Sequence, residues 1–282
     1  MIRLVLKHCV ERLSPGYGTD EAIAISRWLI SSVTGRGEQD ISFSNSDPAD
    51  DAQLEKVNEH LVSLLQGVPL QYVLEEAWFC GLKFHVDKRV LIPRPETEEL
   101  VEWIVDDIRF PLDKLRILDL GTGSGCIPIA LRRRLGTPEV YGCDISRDAL
   151  AVARMNAARL AVSVDFFQYD MLSDALPACG RLDILVSNPP YIPLAEMHEM
   201  ATHVTEHEPH GALFVPDNDP LLFYRSIARK GKELLNSKGI IYLELHSGHG
   251  VETADLFTES GYRVELRKDM SGNTRMLKAI RS

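Results

Sequence analysis

Ile117-Leu118-Asp119-Leu120-Gly121-Thr122-Gly123-Ser124-Gly125 decides the fold. Its first half is a short apolar run that reads as a buried strand; its second half alternates glycine with small polar residues. Glycines there let the chain turn sharply and let its backbone approach a ligand closely. The apolar residues that follow Gly125 predict a helix over about 125–135. The spacing is Gly-x-Gly-x-Gly rather than Gly-x-Gly-x-x-Gly, and no Gly-Lys-Ser/Thr follows, which excludes a P-loop.

Working outward, strands are expected near 116–120, 139–144, 163–168, 182–187, 239–245, 262–268 and 274–280. Helices are expected over 125–135, 146–160, 218–236 and 249–260. Such alternation implies a mostly parallel sheet with helices on both faces. The last two strands are separated only by Asp269-Met270-Ser271-Gly272-Asn273, so one closing antiparallel strand is expected. Two acids sit where neighbouring strands should end. Asp144 lies nineteen residues past Gly125, placed to accept both ribose hydroxyls of a nucleoside. Asp170-Met171 could meet an adenine edge and face. Asp119 has no role in gripping pyrophosphate, where it would repel the phosphates, but it suits the cationic amino end of a methionine. S-adenosylmethionine therefore fits this turn better than NAD.

A second corner completes the chemistry. Leu182-Asp183-Ile184-Leu185-Val186-Ser187 reads as a buried strand and runs into Asn188-Pro189-Pro190-Tyr191. The two prolines stiffen the backbone and remove two N–H donors. A carboxamide, backbone carbonyls and an aromatic ring held this way suit a flat –NH2 group. Together the two corners point to methyl transfer onto an amide or exocyclic nitrogen.

The rest of the chain narrows the class. Formal net charge is -10 over 282 residues, which argues against a general grip on phosphate backbones. Residues 1–77 read as helices, with Asp20–Ile30 and Asp50–Leu65 amphipathic and Gly35–Asp47 polar and turn-rich. That segment carries six Lys/Arg against twelve Asp/Glu, an unsuitable balance for a DNA reader. Trp28, Leu29 and Ile30 are expected in its core. Short strands are expected at Trp78-Phe79, Leu82–Val86 and Val90-Leu91-Ile92. Arg132-Arg133-Arg134 reads as a solvated helix end. Five widely spaced cysteines without a C-x-x-C suit reduced thiols and a cytoplasmic setting. The N-terminus has no cleavable leader pattern, and no apolar run approaches the roughly 20 residues of a membrane span. His203-Val204-Thr205-Glu206-His207 has inverted-zincin spacing, but Glu208-Pro209 interrupts it, and a polar loop across His198–His210 without metal is the expectation.

The two motifs carry a resemblance. Asp119–Gly125 with Asn188–Tyr191 resembles class I S-adenosylmethionine-dependent methyltransferases. Leu91-Ile92-Pro93-Arg94-Pro95-Glu96-Thr97-Glu98, Phe79-Cys80-Gly81-Leu82-Lys83-Phe84 and Glu208-Pro209 narrow it to the HemK-type (PrmC) protein-glutamine methyltransferases, over roughly residues 70–282. The strand near 240 departs from the family pattern, ending Glu244-Leu245-His246 where Glu-Ile-Gly is usual.

The resemblance implies a Rossmann-like α/β fold: a seven-stranded mostly parallel sheet with one antiparallel strand, plus a small helical N-terminal domain. The implied division is 1–77 for substrate recognition, 78–92 as a β-hairpin linker and 93–282 as the methyltransferase domain. It implies S-adenosylmethionine as cofactor (S-adenosylhomocysteine as product), held by Asp119, Gly121, Thr122, Gly123, Ser124, Gly125, Asp144, Asp170, Met171 and Asn188. The substrate would be the glutamine of the Gly-Gly-Gln motif in class I peptide chain release factors. Asn188, Pro189, Pro190 and Tyr191 would bind it, and Asn188, Pro189 and Tyr191 would serve catalysis. A monomer is expected, with no direct nucleic-acid or membrane partner. Rival substrates for the same tetrapeptide are a ribosomal-protein glutamine and adenine's exocyclic amine; a rival of another class is a non-enzymatic cofactor-binding scaffold.

Overall fold

The computed structural model describes residues 2–37, 41, 50–108, 115–136, 138–173 and 175–281. The chain divides into two compact units, Met1–Glu76 with Ala201–His207, and Ala77–Met200 with Glu208–Ser282.

The first unit is helical. It contains α1 (Ile2–Tyr17), α2 (Thr19–Thr34), α3 (Asp51–Leu65) and the short α4 (Leu70–Leu74). Apolar residues at helical spacing build its core: Cys9 and Leu13 meet Ala22, Ile25 and Leu29, with Val57, Leu61 and Leu64. A capping box starts α3, since Asp50 accepts from the Gln53 N–H and the Gln53 side chain accepts from the Asp50 N–H. Gly35 closes α2 in the left-handed conformation. Leu29 and Ile30 are buried, while the Trp28 indole donates to Glu76 at 3.0 Å. Most of the expected polar stretch Gly35–Asp47 lies outside the described residues.

The second unit opens with β1 (Ala77–Phe79) and β2 (Leu82–Phe84), an antiparallel hairpin turning at Cys80-Gly81. Both turn residues have positive φ, as a tight hairpin with right-handed strand twist requires. The expected strand at Val90-Leu91-Ile92 does not form. Its backbone groups find other partners: the Val90 N–H bonds the Asp87 carbonyl, and the Ile92 N–H donates to the Glu208 side chain at 3.2 Å. Pro95 then starts α5 (Pro95–Asp107), whose first turn carries Glu96 and Glu98.

The seven-stranded sheet contains β3 (Arg116–Leu120), β4 (Glu139–Asp144), β5 (Asp165–Gln168), β6 (Leu182–Ser187), β9 (Leu235–Glu244), β10 (Tyr262–Lys268) and β11 (Thr274–Arg281). Their order is β10-β11-β9-β6-β3-β4-β5. Only β11 runs against its neighbours. Between them lie α6 (Cys126–Leu135), α7 (Arg147–Arg159), a short parallel pair β7 (Ile192–Pro193) and β8 (Phe214–Val215), α9 (Leu222–Leu234) and α10 (Gly250–Glu259); α8 (Thr202–His207) belongs to the helical unit. Alternate residues face opposite ways along a strand. Leu118, Leu120 and Leu185 pack with Tyr224, Ile227 and Ala228 of α9 and Phe257 of α10. Strand β9 starts four residues earlier than expected. Its pairing with β6 jumps from Leu182↔Leu235 to Ile184↔Ile240, and Lys238 with positive φ sits in the irregular stretch, so the chain passes from α9 directly into the sheet.

Strand order fixes where the motifs go. From β3 the chain moves to β4 and β5 on one side and then returns to β6 on the other, so β3 and β6 flank a topological switch point. Crevices at such points, outside the carboxyl ends of the strands, are where open α/β sheets bind ligands. The Ser187 hydroxyl donates to the Leu120 carbonyl at 2.6 Å, tying the two strand ends.

Asn156 on α7 holds the glycine turn from behind. Its amide nitrogen donates to the carbonyls of Ser124 and His85, both at 2.9 Å, and its oxygen accepts the His85 N–H at 2.7 Å. All three bonds are buried. Asn156→Ala should destabilise the protein by on the order of 3 kcal/mol in urea unfolding, since three buried polar groups lose their partner.

Candidate active site

The turn after β3 and the corner after β6 open onto one cavity of about 380 Å3. Gly121, Gly123, Asp144, Asp170, Met171, Asn188 and Pro190 of the sequence-derived set line it. Asp119, Thr122 and Ser124 are buried, and Gly125 contributes packing: a Cβ there would stand 3.1 Å from Ala153 and 3.2 Å from Ile129 and Phe166. Pro189 is buried beside the cavity lining.

Each glycine of the turn has positive φ. A Cβ on Gly121 would press on Met171 Cε at 3.1 Å, whereas one on Gly123 would meet open space. The Gly123 N–H donates to Asp144 Oδ2 at 2.9 Å, and the Ser146 N–H to Asp144 Oδ1 at 2.9 Å. Each carboxylate oxygen keeps a lone pair after accepting one bond. Burial raises the Asp144 pKa, opposed by those backbone N–H groups. Asp170 Oδ1 is engaged by the Leu172 N–H at 2.8 Å.

Asp119 differs. It is fully buried, and neither carboxylate oxygen has a hydrogen-bond partner of good geometry. Burial pushes its pKa up to about 7; the nearby Thr122 hydroxyl opposes this and the Asp144 charge adds to it. An unsatisfied buried carboxylate invites a cation.

At the second corner, the Tyr191 and Ile192 N–H groups both donate to the Leu213 carbonyl, at 3.2 and 3.0 Å, which anchors the segment just after the prolines. The Asn188 amide nitrogen donates to the Thr97 hydroxyl at 3.1 Å. Thr97 donates to Glu244 Oε2 at 2.6 Å, and the Tyr191 hydroxyl donates to Glu244 Oε1 at 3.0 Å. Glu244 is only 1% exposed. Burial raises its pKa, and the two hydroxyls and Arg275 counter that rise. Burial and the neighbouring Glu244 both push the Tyr191 phenol upward.

Thr97 and Glu244 were not among the residues expected from sequence to act. Thr97 reads only as part of a helix start. Glu244 carried one usable signal, a charge closing the apolar run Ile240-Ile241-Tyr242-Leu243. The cavity also takes Arg89, Tyr169 and Phe223 from stretches without a motif.

The His203–His207 spacing does lie in a helix, Thr202–His207. Among the described residues, however, the metal-capable donors that gather within 4.8 Å are Glu196, His246 and His249. His246 Nδ1 accepts the Gly248 N–H at 3.1 Å, so its Nε2 carries the ring proton toward Glu196 Oε2 at 3.0 Å. That is the pattern of a hydrogen-bonded histidine rather than a ligand.

The Methyltransferase small domain family matches residues 97–215, and the PrmC N-terminal domain family matches residues 5–74. A release factor glutamine methyltransferase of Bacteroides thetaiotaomicron is 41% identical over 94% of this chain and 95% of its own length. One of Flavobacterium psychrophilum is 42% identical over 85% of each chain. The chain belongs to the release factor glutamine methyltransferase family. A crystal structure of a methyltransferase from Pyrococcus furiosus covers 72% of this chain and 90% of its own at a TM-score of 0.53, with 16% identity, and shows the shared fold. Of the Asn-Pro-Pro-Tyr corner, Asn188 and Pro190 stand at the cavity with the glycine turn, whereas Tyr191, expected from sequence to meet the substrate, is not among the lining residues and has its hydroxyl on Glu244.

The cavity wall depends on Glu208. Its buried carboxylate takes the Ile92 N–H at 3.2 Å and the Arg94 guanidinium at 2.5 Å, joining the Val90-Leu91 wall to the Pro209–Ala212 wall. Glu208→Ala should cost about 3 kcal/mol of stability in denaturant titration, the usual loss when one partner of a buried pair is removed.

Proposed function

We propose that the chain transfers the methyl group of S-adenosylmethionine to the side-chain amide nitrogen of the glutamine in the Gly-Gly-Gln motif of class I peptide chain release factors. The observation that carries this reading is the pairing of an orphaned buried carboxylate, Asp119, with a donor-poor carboxamide corner, Asn188–Tyr191, at neighbouring strand ends.

The residues fit that cofactor. Asp144 has lone pairs left for ribose hydroxyls, Met171 and Asp170 line the cavity for a base, and Asp119 lacks a cation. Once bound, the cofactor supplies an electrophilic methyl on a sulfonium sulfur. An amide nitrogen is a weak nucleophile because its lone pair is delocalised. Asn188 Oδ1 and the Pro189 carbonyl accept the two amide hydrogens, and fixed dipoles stabilise the positive charge growing on nitrogen. Pro190 bounds the nitrogen's approach. Holding both reactants aligned supplies several kcal/mol, up to a ceiling of about 7–11. The nitrogen gives up one hydrogen as a proton to water after the new N–C bond forms, which balances the transfer.

The helical unit, 1–77 in the sequence division, is the proposed contact with the release factor. Its excess of acids supports a protein partner over a nucleic-acid one. All five cysteines are unpaired, which supports a reducing cytoplasm. No helix among the described residues is long and apolar enough to cross a membrane.

Two expectations test the reading. Asn188→Ala should keep cofactor affinity and lose well over tenfold of the turnover on purified release factor, tenfold being about 1.4 kcal/mol; radiolabelled methyl transfer measures it, and a smaller loss removes Asn188 from this role. The second concerns pH. Below about 7 the Asp119 carboxyl is protonated and neutral, and above it ionised. A cationic ligand group favours the ionised form. Cofactor affinity should therefore weaken as pH falls from 7 to 5, approaching tenfold per unit, and the Asp119→Asn variant should flatten that slope in calorimetric titration.

A further inference from the structure

The Asn188 carboxamide has two ends of nearly equal size and opposite polarity: an NH2 that donates and an oxygen that accepts. A glutamine amide arriving with two hydrogens can be received only by the oxygen end. A flipped Asn188 would set donors against donors. Something in the fold has to choose between the two orientations.

The choice can be traced bond by bond. The Thr97 hydroxyl has one hydrogen, and Glu244 Oε2 takes it at 2.6 Å. The other Glu244 oxygen receives the Tyr191 hydroxyl at 3.0 Å. An ionised carboxylate accepts and never donates, so both hydroxyls must point their hydrogens inward at Glu244. Thr97 is left with lone pairs only. The Asn188 nitrogen lies 3.1 Å from them and must present its NH2, which leaves Oδ1 as the end available on the cavity side. We propose that Thr97 and Glu244 are positioning residues that set the polarity of the Asn188 carboxamide, with Glu244 as the source of direction and Thr97 as the relay. Glu244 holds Tyr191 by the same device, so one buried carboxylate orients two members of the corner.

A merely structural role makes a different demand. Thr97 is 3% exposed and Glu244 1%. Thr97→Val keeps the side-chain shape but leaves Glu244 Oε2 and the Asn188 NH2 without their partner, so some loss of stability is expected on either reading. If packing were all that mattered, Thr97→Val, which keeps the shape and removes the hydroxyl, would leave activity alone.

This inference rests on the glutamine reading above for its consequence, though the carboxamide orientation can be read without it. Thr97→Val should lower the melting temperature by several degrees yet stay folded at the assay temperature, as a buried polar group left without its partner costs about 1–3 kcal/mol. Its kcat on release factor should fall on the order of tenfold to a hundredfold, the scale of a misoriented reacting group. The KM and the cofactor Kd should move by no more than about twofold. Thr97→Ser, which keeps the relay, should restore kcat. Independently of any substrate, the Asn188 side-chain amide signal in a nitrogen–proton NMR spectrum, assigned by its loss in Asn188→Ala, should shift and exchange faster in Thr97→Val and stay in place in Thr97→Ser. An unmoved signal in Thr97→Val, an unchanged kcat, or equal damage from Val and Ser overturns the proposal. A wild type that labels no release factor, with the NMR pattern as described, overturns the substrate reading and leaves the positioning role standing.

Discussion

Parallel neighbours in a sheet end at the same edge, and the site depends on that constraint. Strands β3 and β6 pair in parallel, with Asp119 opposite Val186. The residues that follow them, the glycine turn and the Asn-Pro-Pro-Tyr corner, are therefore delivered to one place although they lie more than sixty residues apart. The Ser187–Leu120 bond locks the two ends together. Because the chain reverses its direction of sheet growth between these strands, no crossover segment fills the space above them.

Two buried carboxylates, Asp119 and Glu244, divide the electrostatic work. Both have raised pKa values through burial, yet their surroundings differ. Glu244 is satisfied inside the protein by two hydroxyls, with Arg275 nearby, and so is part of the frame. Asp119 has nothing comparable, and its unsatisfied oxygens amount to a standing preference for a positive ligand group. Removing an ion from water costs several kcal/mol unless a partner compensates. One acid receives its partners on folding; for the other, binding is the natural source.

Much of this was legible in the sequence, and the limits have physical reasons. Strands β3, β4 and β6 fall where their apolar runs place them, because a buried strand must be apolar and short, while the edge strand β10 is marked by its alternation of apolar and charged residues. The Val90–Ile92 segment is equally apolar but is not a strand, since Asp87 and Glu208 take the N–H groups that a neighbouring strand would have taken; a side chain 116 residues away leaves no local trace. The same holds for Thr97 and Glu244, joined across 147 residues. Motifs reveal groups that meet a ligand through contiguous spacing. The groups behind them are brought in by topology, from positions whose local sequence reads only as a helix start or a strand end. The stretch His198–His210 shows a related limit: its sequence reads as a polar loop, yet Thr202–His207 within it forms a short helix that belongs to the helical unit.

The chemistry of the second corner follows from what its residues lack. Pro189 and Pro190 have no N–H, and the next two N–H groups, of Tyr191 and Ile192, are spent on the Leu213 carbonyl. The Asn188 NH2 is held by Thr97 and the Tyr191 hydroxyl by Glu244. The corner's donors are thus largely turned to partners in the protein, while Asn188 and Pro190 line the cavity. A carboxylate or phosphate entering such a place would find few hydrogens to accept and would forfeit its hydration. A neutral –NH2 group brings its own hydrogens and finds acceptors set to take them. On the proposed reading, this polarity favours nitrogen over oxygen before any contact with the remainder of the substrate is made.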